Sequence, residues 1–113
     1  MRTLNSLAIL LVFGCYAPLV LADDASVTIS SPANDAKLSR TEQTKINYEV
    51  MPGPKGDHTH LYVDDNEVGV LRQLKGTHTL ESLAPGKHEI CIKIVNKGHT
   101  PIGVQQCIKV SVE

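Results

Sequence analysis

The chain has no tryptophan, a single phenylalanine and three tyrosines. Its 11 Lys/Arg form no stripe. Without a basic track or stacking rings, nucleic acid is excluded as a partner. Cysteine is scarce too, with Cys15, Cys91 and Cys107 the full set of three. No serine sits in a nucleophile-elbow motif, and the paired carboxylates lack the chain length to build a cleft around them. The chain is therefore expected not to be an enzyme. Long apolar runs are missing as well. The strongest, Leu7–Phe13, is much shorter than the roughly 20 residues a membrane helix needs.

That short run has another use. Arg2 supplies a basic start, and Val20-Leu21-Ala22 places small or apolar residues where a signal peptidase cuts. Residues Met1–Ala22 are accordingly expected to be a signal peptide removed after Ala22, sending Asp23–Glu113 to the periplasm or outside the cell. The rival reading is a lipid anchor on Cys15 within Val12-Phe13-Gly14-Cys15; Phe13 is bulky for such a box. Cleavage after Ala22 leaves no membrane span. It also leaves ten Lys/Arg (11 less Arg2) against twelve Asp/Glu. A domain of this size buries only about 60–65% of its unfolded surface, so a covalent staple is useful. The remaining cysteine pair in an oxidising compartment predicts one disulfide, Cys91–Cys107.

Apolar residues alternate with a period of two almost throughout, and no segment has helical spacing. Seven short strands are expected: Val27–Ile29, Lys45–Met51, His58–Val63, Glu67–Leu71, Thr77–Leu83, His88–Val95 and Val104–Val112. Turn signals such as Met51-Pro52-Gly53-Pro54, Asp64-Asp65-Asn66 and Ala84-Pro85-Gly86-Lys87 separate them. This is the pattern of an all-β, immunoglobulin-like antiparallel sandwich in one domain. If Cys91 faces Cys107, then Glu89 opposes Lys109 and Lys93 opposes Gln105 on the outward face. Ile90 then opposes Ile108, and Ile94 opposes Val104, on the inward one. A slip of one residue would expose the isoleucines.

Chemistry concentrates in Asp57-His58-Thr59-His60-Leu61-Tyr62-Val63-Asp64. On a strand, His58 and His60 share a face with Tyr62, while Leu61 and Val63 take the core side. Two imidazoles about 7 Å apart along a strand offer two ligands to copper or zinc. A third must come from elsewhere. His99, in the loop Asn96-Lys97-Gly98-His99-Thr100-Pro101, is the first choice, because nothing in that loop's apolar pattern demands a histidine. If the His58 strand pairs antiparallel with the His88 strand, His58 and His99 meet at one rim. His78 and Asp57 are reserve candidates, Asp57 either as a ligand or as an acceptor for an imidazole N–H. The plain alternative is that His58 and His60 are solvated residues on an exposed sheet face. His88 reads as a turn-bonding structural residue, and Asp64 and Asp65 as turn formers.

Four pieces occur in order: Ser31-Pro32-Ala33-Asn34, the His58–Asp64 strand, Leu83-Ala84-Pro85-Gly86-Lys87-His88 and Asn96-Lys97-Gly98-His99-Thr100-Pro101. This order resembles uncharacterised bacterial periplasmic domains of immunoglobulin- or fibronectin-like fold that carry a His-x-His-Leu-x-x-Asp strand. The resemblance spans nearly the whole chain after the signal and implies that His58, His60 and His99 form a set. The cysteine pair stands outside the shared pattern. The functional expectation is a small exported module holding copper or zinc at a histidine rim. The alternative is a structural or interaction domain that binds an envelope protein or a glycan without metal.

Overall fold

The alternation in the sequence becomes two packed sheets in a computed structural model that describes residues 24–113. The eight strands are β1 (Ser26–Ser31), β2 (Ala36–Leu38), β3 (Thr44–Met51), β4 (His58–Val63), β5 (Asn66–Leu71), β6 (Lys75–Leu80), β7 (Gly86–Val95) and β8 (Pro101–Val112). One sheet runs β1-β3-β6, and the other runs β2-β8-β7-β4-β5. The expected β-sandwich is therefore present, with one strand more than the sequence suggested. The expected signal peptide Met1–Ala22, its cleavage point and the lipid alternative at Cys15 lie outside the described residues. No described helix is long and apolar enough to cross a membrane.

The core forms where the inward faces meet. Ile29, Ile46, Tyr48, Val50 and Leu80 from the first sheet pack on Leu61, Leu71, Ile90, Ile92, Ile94, Ile108 and Val110 of the second. Strand β3 shows strict alternation of buried and exposed residues along all eight positions. Half-buried antiparallel strands produce this pattern. The additional strand β2 pairs parallel to the end of β8, Ala36 with Val110 and Leu38 with Val112. Just before it, Asn34 Oδ1 accepts the Lys109 N–H at 2.9 Å, extending that edge with a side chain.

The last hairpin has the expected register over most of its length. Glu89 pairs with Lys109, Ile90 with Ile108, Cys91 with Cys107 and Lys93 with Gln105. Cys91 and Cys107 are joined by a disulfide. The expectation fails at Ile94 and Val104, because a register shift intervenes and Val95 pairs with Pro101 instead. Gly103, at φ +95°, sits inside that shift. A bulge absorbs extra residues where a backbone free to adopt positive φ lets the strand kink.

At the opposite end of the second sheet, His88 ties two turns together. Asp64 and Asp65, at φ +51° and +69°, form the two-residue β4–β5 turn. Positive φ at both positions matches the twist of a tight hairpin. His88 Nδ1 donates to Asp64 Oδ2 at 2.6 Å, and Nε2 donates to the Ala84 carbonyl at 2.7 Å. Both acceptors lack a proton, so the doubly protonated ring satisfies them best. The hydrogen bond to Asp64 accordingly raises the His88 pKa, and the reciprocal bond lowers that of Asp64.

Stability therefore depends on pH in a defined window. The His88 contribution is full below its ordinary value of 6.5 and is lost as pH rises through its raised folded value. The Asp64 contribution is full above its ordinary value of 3.8 and is lost as pH falls through its lowered one. The pair thus stabilises most between those two values. Because Asp64 is half exposed, solvent screening limits the effect to roughly 1 kcal/mol. Replacing His88→Gln should lower the melting temperature by several degrees near pH 5, and by progressively less toward pH 8 and pH 3. Thermal melts across that range check this.

Candidate metal centre

Strand β4 sits between β7 and β5, and its outward face carries His58, His60 and Tyr62. Leu61 and Thr59 point into the core and are fully buried. His58 pairs with Val95, the last residue of β7, so the start of β4 lies beside the loop that leaves β7. In that loop Asn96 organises a compact turn. Its Oδ1 accepts the N–H groups of Gly98 and Thr100, and its carbonyl accepts the His99 N–H. His99 is held at φ +66°. A β-carbon disfavours this left-handed backbone, and Gly or Asn adopts it more easily. Such strain concentrates at sites where function requires a particular side chain.

The loop folds His99 over the strand face, and the three imidazoles converge. His58 Nε2 is 3.2 Å from His60 Nε2 and 3.3 Å from His99 Nδ1. His60 Nε2 is 2.9 Å from His99 Nδ1. His58 and His60 are only 2% and 3% exposed, whereas His99 is exposed. The solvated-face alternative is therefore overturned for the strand pair, because the loop covers them. Val95 and Lys93 flank the two rings on β7.

The far nitrogens decide what the near ones can do. Asp57 Oδ2 accepts from His58 Nδ1 at 2.8 Å. Glu67 Oε1 lies 3.3 Å from His60 Nδ1. A carboxylate at Nδ1 keeps the proton there, so Nε2 of each ring carries a bare lone pair. Three nitrogens this close cannot all be satisfied by hydrogen bonds, since only His99 has a proton to offer and it can serve one partner. A single cation satisfies all three. A tetrahedral ion bound at about 2.0 Å to nitrogen holds its ligands roughly 3.3 Å apart, close to the three separations found. The group His58, His60 and His99 can hold a metal ion.

Electrostatics point the same way. Burial lowers the His60 pKa, with the nearby His58 and His99 adding to the effect and Glu67 opposing it. A neutral imidazole is the form a metal needs. The hydrogen bond from His58 lowers the Asp57 pKa, and the charges of Lys97 and Arg72 act in the same direction. Asp57 is thus a carboxylate held behind the His58 ring. Removing such an acceptor typically costs 10–100-fold in metal affinity. If the cluster holds an ion, Asp57→Ala should weaken its binding by that factor without abolishing it, as a titration against a competing chelator would show.

His78, the reserve ligand, is not brought to this rim. On β6 it pairs with Ile46 of β3, and a β-carbon at Gly69 would lie 3.5 Å from its ring. It packs between the sheets, in phase with Leu80. Nothing in the sequence marks Glu67 as part of this face, because a bulge in β5 decides its direction. Gly69 pairs with Leu61, but Glu67 pairs with Tyr62, leaving Val68 as the extra residue. Without that residue, Glu67 would oppose Val63 on the core side. With it, Glu67 joins the outward face diagonally from His60.

No protein-family model and no curated protein sequence matches the chain. Solved structures do resemble it. A fibronectin(III)-like module of Clostridium thermocellum CbhA is 17% identical with a TM-score of 0.64, across 77% of this chain and 95% of the module. The CARDB domain of the PF1109 protein from Pyrococcus furiosus, solved in complex with di-metal ions, is 15% identical with a TM-score of 0.55, across 80% and 93%. A Jonesia denitrificans lytic polysaccharide monooxygenase is 22% identical with a TM-score of 0.51, across 74% of this chain and 61% of the enzyme. These likenesses define the class as an immunoglobulin- or fibronectin-like β-sandwich. They concern the fold alone.

Proposed function

We propose that this domain is an exported metal-binding module that holds one copper ion, or zinc in second place, through His58, His60 and His99. The observation that carries the reading is the convergence of three imidazole nitrogens within 3.3 Å, two of them with their protons directed away by carboxylates. Imidazole suits both ions, and a divalent site without thiolate prefers copper over zinc by the usual order of affinities. The disulfide is compatible with an oxidising compartment, where copper and zinc are handled without thiols. The role assigned to the bound ion is storage, delivery or sensing.

The test is direct. Oxidised protein at neutral pH should retain one equivalent of Cu(II) through dialysis, and His58→Ala/His60→Ala should retain none. Failure of the unaltered protein to retain either ion removes the reading. It would leave an immunoglobulin-like interaction domain whose partner a pull-down from envelope extract would seek.

A further inference from the structure

The histidine cluster supplies three donors and stops there. Among the described residues, the ligating group around it contains no fourth side chain. The two carboxylates that could have served, Asp57 and Glu67, are turned to the Nδ1 atoms behind His58 and His60. Three neutral imidazoles bring no charge of their own to a divalent ion, and Asp57 and Glu67 offset it only from behind the rings. A four-coordinate ion would then need its last ligand from outside the protein.

The surroundings indicate what charge that ligand carries. Lys93 is the direct cross-strand neighbour of His60 on the outward face. Its ammonium is held 4.3 Å from the centre of the Tyr62 ring, next in line on β4. A cation over an aromatic face is retained there by the ring's quadrupole. Lys97 belongs to the loop that carries His99. Arg72 follows Leu71, which pairs with Thr59, and so stands beside the start of β4. Among the described residues no lysine or arginine has a carboxylate oxygen within 4.0 Å, since every ion pair there involves a histidine. Their charge is available to an incoming group.

We propose that the metal-loaded centre completes its coordination with a small exogenous anion, of the carboxylate or pseudohalide kind, drawn in by Lys93, Lys97 and Arg72. The inference rests on the metal-binding reading above. The anion joins as a ligand by displacing water, with no change in oxidation state. Field focusing by several like charges around a centre raises the local concentration of the opposite charge.

Azide is the probe, because it gives Cu(II) a charge-transfer band in the near ultraviolet. Copper stoichiometry is measured first, then azide is titrated at low and moderate salt, with acetate as a competitor. A saturable band that acetate suppresses and salt weakens is the expected result. Removing one unit charge from about 7 Å in a water-like medium changes an anion's affinity about threefold. The variant Lys93→Gln/Lys97→Gln/Arg72→Gln should therefore raise the azide dissociation constant at least tenfold while still binding one copper. Lys93→Arg should retain wild-type affinity. A distant control, Lys37→Gln/Lys45→Gln/Lys75→Gln, should shift it by less than about threefold.

Copper uptake without an azide band, or equal azide affinity in the two triple variants, overturns this inference and leaves the metal site standing. Absence of copper uptake overturns both.

Discussion

One equivalent of bound Cu(II) should raise the melting temperature by about 10–20 °C. An ion present at 100 times its dissociation constant stabilises the folded state by about 2.7 kcal/mol. In a domain of this size each kcal/mol is worth about 4–8 °C. Copper bound to histidines of the unfolded chain trims the gain toward the lower end. The physical source is specific to the cluster. Two buried imidazoles face one another with bare nitrogens, and the ion replaces that mutual repulsion with three bonds. Differential scanning calorimetry with and without metal checks the shift. In His58→Ala/His60→Ala the increment should fall below about 2 °C, whatever the variant's own melting temperature.

Breaking the Cys91–Cys107 bridge should have an effect of similar size and opposite sign. The bridge closes a loop with a sequence separation of 16. In the chain-entropy account a loop of that length is worth about 3 kcal/mol, through restriction of the unfolded chain. Cys91→Ala/Cys107→Ala should thus melt about 12–24 °C lower. Cys91 is buried, with Tyr62 as its cross-strand partner, so truncation there adds a small packing loss. The strand pairing on both sides of the bridge is set by matched pairs, Ile90 with Ile108 and Lys93 with Gln105. The variant should therefore keep its circular dichroism spectrum at low temperature and still bind one metal ion. A drop of only 2–3 °C would show that the hairpin is held in the unfolded ensemble by other contacts.

Local alternation made much of this fold legible. The bounds of His58–Val63 are legible because turn-forming residues flank it on both sides. The meeting of His58, His60 and His99 followed from one pairing assumption, and His58 does pair with Val95. What escaped depends on contacts that alternation does not encode. Strand β2 has three residues and pairs in parallel with the distant end of β8. The shift at Gly103 broke the Ile94–Val104 pairing, because a bulge is a property of two strands together. The inversion of Glu67 has the same cause in β5. Burial of His58 and His60 on a nominally outward face comes from a loop folding over them, a tertiary event with no signature in their own segment.

The most direct test of the central claim is X-ray absorption at the copper edge on the singly loaded, dialysed protein. Three imidazole nitrogens at about 2.0 Å, with the multiple scattering of intact rings, are the predicted coordination. A spectrum fitted by one imidazole or none, with oxygen or amide nitrogen filling the remaining positions, would contradict it.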